Sequence, residues 1–216
     1  MMSPSMNIYP LSSYSFFNDG PEIVKDSSVS NRLARMKAKY SEEGMMRTTV
    51  EGILLIGAFR HPHVILMQMG NTHCKLPGGR LRPGENDIEG LKRKLSNRLG
   101  PRSPEQPDWQ IGDCVAKWWR PDFGPDMYPY CPPNVTEPKE CRKLFLVHLS
   151  EKDQFVVPKN WKFLAVPFFV LHSKQQCYET VLHALPRQLS RFQFNVVSPS
   201  AQDSGEECSE QNLSTS

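Results

Sequence analysis

Between Gly79 and Gly100 the chain carries charged residues at spacings that suit chemistry on a phosphate group. Gly79 is followed after five residues by Glu85 and after seven more by Arg93, and Lys94, Leu95, Asn97, Arg98 and Gly100 complete the segment. Phosphate chemistry at such a site runs on magnesium, which takes oxygen ligands in near-octahedral geometry from carboxylates beside the substrate's phosphates. Positions 94 and 98 are i, i+4 neighbours on a helix and position 97 adjoins them, so carboxylates at those positions would share one metal-binding face. Those positions hold Lys94, Arg98 and Asn97, so that face offers no carboxylate and Glu85 stands alone opposite two cations. Two cations against one anion oppose a divalent metal and leave it short of oxygen ligands. The expectation is a protein with no metal, no cofactor and no catalytic residue. A plainer reading of the same charges stands beside it. Lys94 and Arg98 fall in the last turn of a helix, where cations complement the dipole, and Glu89 with Arg93 has the spacing of a surface pair.

The elements that would position these residues follow from periodicity. A helix over Asp87–Leu99 is expected, with Asn86 and Glu89 as a capping box and Ile88, Leu91, Leu95 and Leu99 as its apolar stripe. Gly100-Pro101 stops it. An earlier helix starts at the caps Asp26, Ser27 and Ser28, repeats Val29, Leu33, Met36 and Tyr40 on one face, and ends at Gly44. Its polar face is basic, with Arg32, Arg35, Lys37 and Lys39. Strands are expected at 49–58 and 63–69 around a turn at Arg60-His61-Pro62, then at 109–119, 143–149 and 162–170. A loop covers 71–85, a Pro/Tyr-rich excursion covers 120–141, and a last helix covers 178–191, kinked or divided at Pro186. Strands interspersed with helices give an α/β domain. Its boundaries are expected at 25–195, with an aromatic N-terminal arm at 1–24 and a disordered acidic tail at 196–216.

Bulk properties bound the function. A length of 216 residues suits one domain with short extensions. No run approaches the ~20 apolar residues of a membrane span, no secretory signal opens the chain, and no membrane role is expected. The six cysteines are scattered without metal-ligand spacing, as in a reducing compartment. A formal charge of +3 is too small to identify a nucleic-acid binder.

The segment from Gly79 resembles the Nudix box, G-x5-E-x7-R-E-U-x-E-E-x-G-U, with Lys94, Asn97 and Arg98 replacing its last three glutamates. Beyond the box, long stretches from Tyr9 to about Phe194 resemble one family, the small Nudix subunits of pre-mRNA cleavage factor Im. Among them are Lys25-Asp26-Ser27-Ser28-Val29, Val50-Glu51-Gly52, Lys75-Leu76-Pro77-Gly78-Gly79, Trp118-Trp119-Arg120-Pro121, Tyr128-Pro129-Tyr130 and Lys143-Leu144-Phe145-Leu146-Val147. The resemblance implies a Nudix α/β/α sandwich with a mixed sheet. It also implies a nuclear, homodimeric, non-hydrolytic protein that binds single-stranded UGUA RNA. A larger RRM-containing subunit would be its partner in poly(A)-site selection, 3′-end cleavage and polyadenylation, alongside other 3′-processing factors.

Matched position by position, the resemblance makes Arg32 a base contact and Glu51 an acceptor for a uracil edge, with Leu76 and Tyr178 as further lining residues. His73 and Cys74 stand where the animal pattern has phenylalanines, and an imidazole at 73 can still stack on a base. Each has a plainer alternative: a solvated charge for Arg32, an ion pair of Glu51 with Arg47, a loop histidine at 73, and core packing for Tyr178. Two departures bear on binding strength and sequence preference. Val24 replaces a guanine-reading glutamate, with Glu22 two residues upstream as a substitute, and Glu179 replaces a glycine. Two other functions stay open: a metal-dependent Nudix hydrolase or nucleotide sensor resting on Glu85 and Arg93, and a dimeric scaffold whose RNA binding has decayed, with Tyr128-Pro129-Tyr130 as a partner-facing surface.

Overall fold

The computed structural model describes residues 4–22, 28–69, 73–100, 107–151, 153–173 and 178–197. From the N-terminus come β1 (Ser5–Ile8), a 3-10 turn at Leu11–Ser13, β2 (Ser15–Gly20), α1 (Val29–Glu43), β3 (Arg47–Ala58) and β4 (His61–Met69). Two short strands, β5 (His73–Lys75) and β6 (Gly78–Arg80), lead to α2 (Asp87–Leu99). The second half holds β7 (Gln110–Arg120), β8 (Glu140–His148), β9 (Gln154–Pro158) and β10 (Trp161–Pro167). It closes with α3 (Phe168–Ser173), α4 (Thr180–His183), α5 (Leu185–Leu189) and β11 (Gln193–Val196).

Seven strands make one mixed sheet in the order β10-β4-β3-β8-β7, with β5 beside β4 and β6 beside β3. β3 and β8 run parallel, Arg47 opposite Glu140 and Leu54 opposite Val147, and the sheet's other pairings are antiparallel. Successive side chains of a strand point to opposite faces, and β3 shows it: Val50, Leu54 and Ile56 join Leu91, Leu95 and Leu99 of α2 in one core. Ile53 and Leu55 join Leu171, Leu182, Leu185 and Leu189 of α3, α4 and α5 in a second core on the other face. Helices on both faces make an α/β/α sandwich, and burial on both sides explains the apolar run Ile53–Ile56 of β3. Each buried leucine contributes about 2 kcal/mol of transfer free energy.

The α2 helix forms where its sequence places it. The Asn86 side chain accepts from the backbone N–H groups of Ile88 and Glu89, at 2.9 and 3.4 Å, and Asp87 and Glu89 sit in the positive first turn. The α1 helix starts at Ser28 and stops at Gly44, whose φ of 64° is the left-handed conformation that favours glycine. Of its apolar stripe Met36 is buried, while Leu33 and Tyr40 are half-buried. Much of what holds α1 is polar: Tyr40 Oη donates to Glu137, and Lys139 Nζ lies 4.1 Å over the Tyr40 ring.

Several local expectations are corrected. The hairpin turn is at Phe59-Arg60, both at positive φ (50° and 62°), and His61-Pro62 already belong to β4. Residues 168–170, expected in a strand, open α3, because a short apolar run suits either element. The expected last helix is two short ones, α4 and α5, divided just before Pro186. The loop at 71–85 contains β5 and β6, and the aromatic arm is woven in: β1 pairs with β11 and β2 with β9. Tyr14 and Phe16 of that segment pack on Phe155 at 5.7 and 5.4 Å. Strand β11 reaches Val196, and residues 198–216 of the expected tail lie outside the described residues, as does position 24.

Candidate functional site

A cleft of about 410 Å³ opens between α1, β3, β5 and β8. The α1 helix supplies Arg32, Arg35 and Lys39, which share a face at spacings of three and four. Arg47, Thr49 and Glu51 alternate along β3 and so point the same way. Glu140 and Arg142 come from β8, and Arg120 from the end of β7. His73, Cys74, Lys75 and Leu76 form the wall at β5. That wall approaches Glu51 because Gly78, at φ 149°, pairs with it. A Cβ at Gly78 would lie 2.2 Å from the Val50 carbonyl oxygen, so only glycine fits.

Eight arginines and lysines line the cleft against three glutamates. This local excess exceeds the +3 of the whole chain. The glutamates are tied to particular cations. Arg142 Nε donates to Glu51 Oε2 at 2.7 Å and Arg142 Nη1 to Glu179 Oε2 at 2.8 Å. Glu179 Oε1 lies 3.6 Å from Arg32 Nη1. Nearby, Glu140 accepts from Thr49 Oγ1 and Arg120 Nε, both at 3.0 Å, and sits 3.4 Å from Arg47 Nε. Burial pushes the Glu51 carboxyl above its usual range against the pull of Arg142. Burial also opposes charge on Arg142, yet Glu51 and Glu179 override it and hold the guanidinium firmly protonated. Arg142 is thus the keystone of the network.

The structure brings five of the six expected site residues together: Arg32, Glu51, His73, Cys74 and Leu76 all line the cleft. Tyr178 packs, half-buried, against the second core beside Glu179. Glu22 is exposed and outside the cleft wall. The ion-pair partner weighed for Glu51 was Arg47, and the observed partner is Arg142, while Arg47 faces Glu140. Sequence reasoning missed Arg142, Arg120 and Glu140. The signal for Arg142 was a carboxylate inside an apolar strand, which must find a cation when buried.

The Nudix-like segment is bound up elsewhere. Glu85 accepts from Arg93 Nε and Nη2, both at 2.6 Å, and from the Arg82 backbone N–H at 2.8 Å. Arg93 therefore pairs with Glu85 and not with Glu89. These bonds lower the Glu85 pKa to about 2, hydrogen bonds from Arg93 first and from Arg82 next. Lys94 and Arg98 pack beneath Gly79, 3.4 and 3.5 Å from where its Cβ would be. A divalent metal does not fit these residues: the one carboxylate is committed to an arginine, and two cations stand where oxygen ligands are needed. The pair has a pH signature. A depressed carboxylate pKa stabilises the fold above its ordinary value of 4.5, and the contribution is lost as pH falls toward about 2. The melting-temperature advantage of the parent over Glu85→Gln should shrink across that window, and a constant gap would remove the charge from the account.

Residues 4–192 match the NUDIX_2 family model, described as a nucleotide hydrolase. Pre-mRNA cleavage factor Im 25 kDa subunit 2 of Arabidopsis thaliana is 59% identical over 198 residues, covering 91% of this chain and 98% of its own. The chain belongs to the cleavage factor Im 25 kDa subunit family of Nudix proteins. Subunit 1 of the same plant is 49% identical over 193 residues, covering 89% of this chain and 86% of its own. Cleavage and polyadenylation specificity factor subunit 5 of Dictyostelium discoideum is 43% identical over 196 residues, covering 88% and 97%. In this member of the cleavage factor Im family, the cationic cleft and the bound-up Glu85 occur in one domain.

Proposed function

We propose that this protein is the small, non-hydrolytic Nudix subunit of a nuclear pre-mRNA 3′-end processing factor, and that single-stranded RNA lies in the cleft. The observation that carries this reading is a buried acceptor, Glu51, set in a wall rich in arginine. Its Oε2 accepts from Arg142 Nε in the cleft wall, and the carboxylate so held is placed to accept from a base N–H. Arg32 offers a forked donor from α1, and His73 offers a ring face beside Leu76. Arg35, Lys39 and Arg47 supply positive charge for phosphates. The preference for UGUA, the homodimer and a larger RRM-containing partner are part of the same proposal and rest on the family resemblance.

Fluorescence anisotropy with a UGUA-containing oligonucleotide and a scrambled control tests the reading. Tighter binding to UGUA is expected, with log K falling by ~0.7 per phosphate contact for each decade of salt. Equal binding to both removes the sequence-reading claim. Phosphate release from a nucleoside polyphosphate with magnesium is expected at background rate, equal in the parent and in Glu85→Gln. Metal-dependent turnover abolished by that substitution would establish the hydrolase instead.

A further inference from the structure

The Glu179 carboxylate sits immediately before α4 yet caps none of its backbone N–H groups. It spans two arginines of the cleft wall instead, with unequal grip. Oε2 accepts from Arg142 Nη1 at 2.8 Å, whereas Oε1 stands 3.6 Å from Arg32 Nη1. Arg142 already has Glu51 as a partner at 2.7 Å, so Glu179 is the second carboxylate on that guanidinium and is shared with Arg32. Arg32 differs. Its side chain is 44% exposed, and Glu179 is its one partner among the described residues.

We propose that Glu179 is a built-in acceptor that occupies Arg32 in the free protein and yields it to an oxygen acceptor of the ligand. This rests on the RNA-binding reading of the cleft. The weak end of the bridge is the one that must open: an exposed pair near 4 Å contributes little in water, while the shorter bond to Arg142 is better shielded and stays. Glu179 thereby sets binding strength at Arg32 without itself contacting RNA. The incoming oxygen can belong to a base edge or to a backbone phosphate, and both present the same acceptor to a guanidinium.

The test is a double-mutant cycle on the full chain with Glu179→Gln, Arg32→Ala and their combination, read by anisotropy on UGUA RNA. Glu179→Gln should bind about fivefold tighter, the scale of one exposed ion pair. In the Arg32→Ala background the same change should have no effect. No gain from Glu179→Gln, or a gain that persists without Arg32, overturns the proposal. Glu179→Gly, which removes the side chain where the backbone is extended, must repeat the result, and thermal melting checks that each variant is folded. An abasic ribose–phosphate oligomer separates the sources: a gain shared with it assigns the acceptor to phosphate, and a gain confined to UGUA assigns it to a base. Tripolyphosphate, titrated calorimetrically, reads the bridge without RNA. An Arg32-dependent gain there supports the bridge even if RNA is the wrong ligand. A flat response beside a gain on UGUA assigns the acceptor to a base, and a flat response to both overturns the bridge.

Discussion

Arg142→Met loses about 3–5 kcal/mol of folding free energy at neutral pH, the scale of breaking a buried ion pair by removing one partner. Arg142 and Glu51 are each 8% exposed at the side chain, so water cannot replace the lost guanidinium. The methionine fills similar volume, which leaves charge as the main change. The loss depends on pH in a definite direction. Burial raises the Glu51 pKa in the folded state above its ordinary value of 4.5. Below that value the carboxyl is neutral whether folded or unfolded, and the penalty is small. Removing Arg142 takes away the pull that opposes burial and raises the folded-state pKa further. The variant then loses stability over a pH range where the parent does not, and the penalty grows as pH rises. Chemical denaturation at pH 4.5 and near neutrality measures this. A loss independent of pH would mean that packing, not charge, explains Arg142. Glu51→Gln combined with Arg142→Met should recover much of the stability.

Arg32→Ala weakens binding to UGUA RNA roughly tenfold to a hundredfold, equivalent to ~1–3 kcal/mol for a good arginine–base contact. Arg98→Ala changes it by less than about twofold, since screening mutes charges away from the ligand. The contrast comes from placement. Arg32 is on the exposed face of α1 and lines the cleft. Arg98 is folded beneath Gly79 with its guanidinium 5.8 Å over the Trp161 ring, and its Nη1 is buried without a hydrogen-bond partner among the described residues. Burial lowers its pKa, partly countered by Glu51. Anisotropy on the two variants ranks them, and the reverse ranking would place the RNA over the Nudix-like helix.

The parts legible in the sequence were those whose signal is local. Asn86, the 3.6-residue stripe and Gly100 state a helix without outside help, and α2 runs where they place it. The β3 strand is long, apolar and β-branched, and its existence followed. Strands β1, β2, β9 and β11 were not legible, because each draws its pairing from a segment far away in sequence and is too short for periodicity to show. At the site, the basic face of α1 was visible as Arg32, Arg35 and Lys39. The partner of Glu51 was not. It depends on β8 lying parallel to β3, so that Leu144 stands opposite Glu51 and Arg142, two residues earlier, shares its face. Arg47 was the nearer candidate along the chain, and a strand neighbour took its place.

The parallel pair of β1 and β11 sets when this protein can finish folding. Asn7 and Asn195 meet across 188 positions of sequence, and Met6 and Ile8 are both buried in the second core. During synthesis β1 is made well before the segment at 193–196 and lacks its pairing partner until that segment emerges. Strand β1 is completed by β11, so this seam closes only after the whole of the intervening domain has been made. Cutting the chain before residue 9 or after residue 192 would open the same seam from opposite sides.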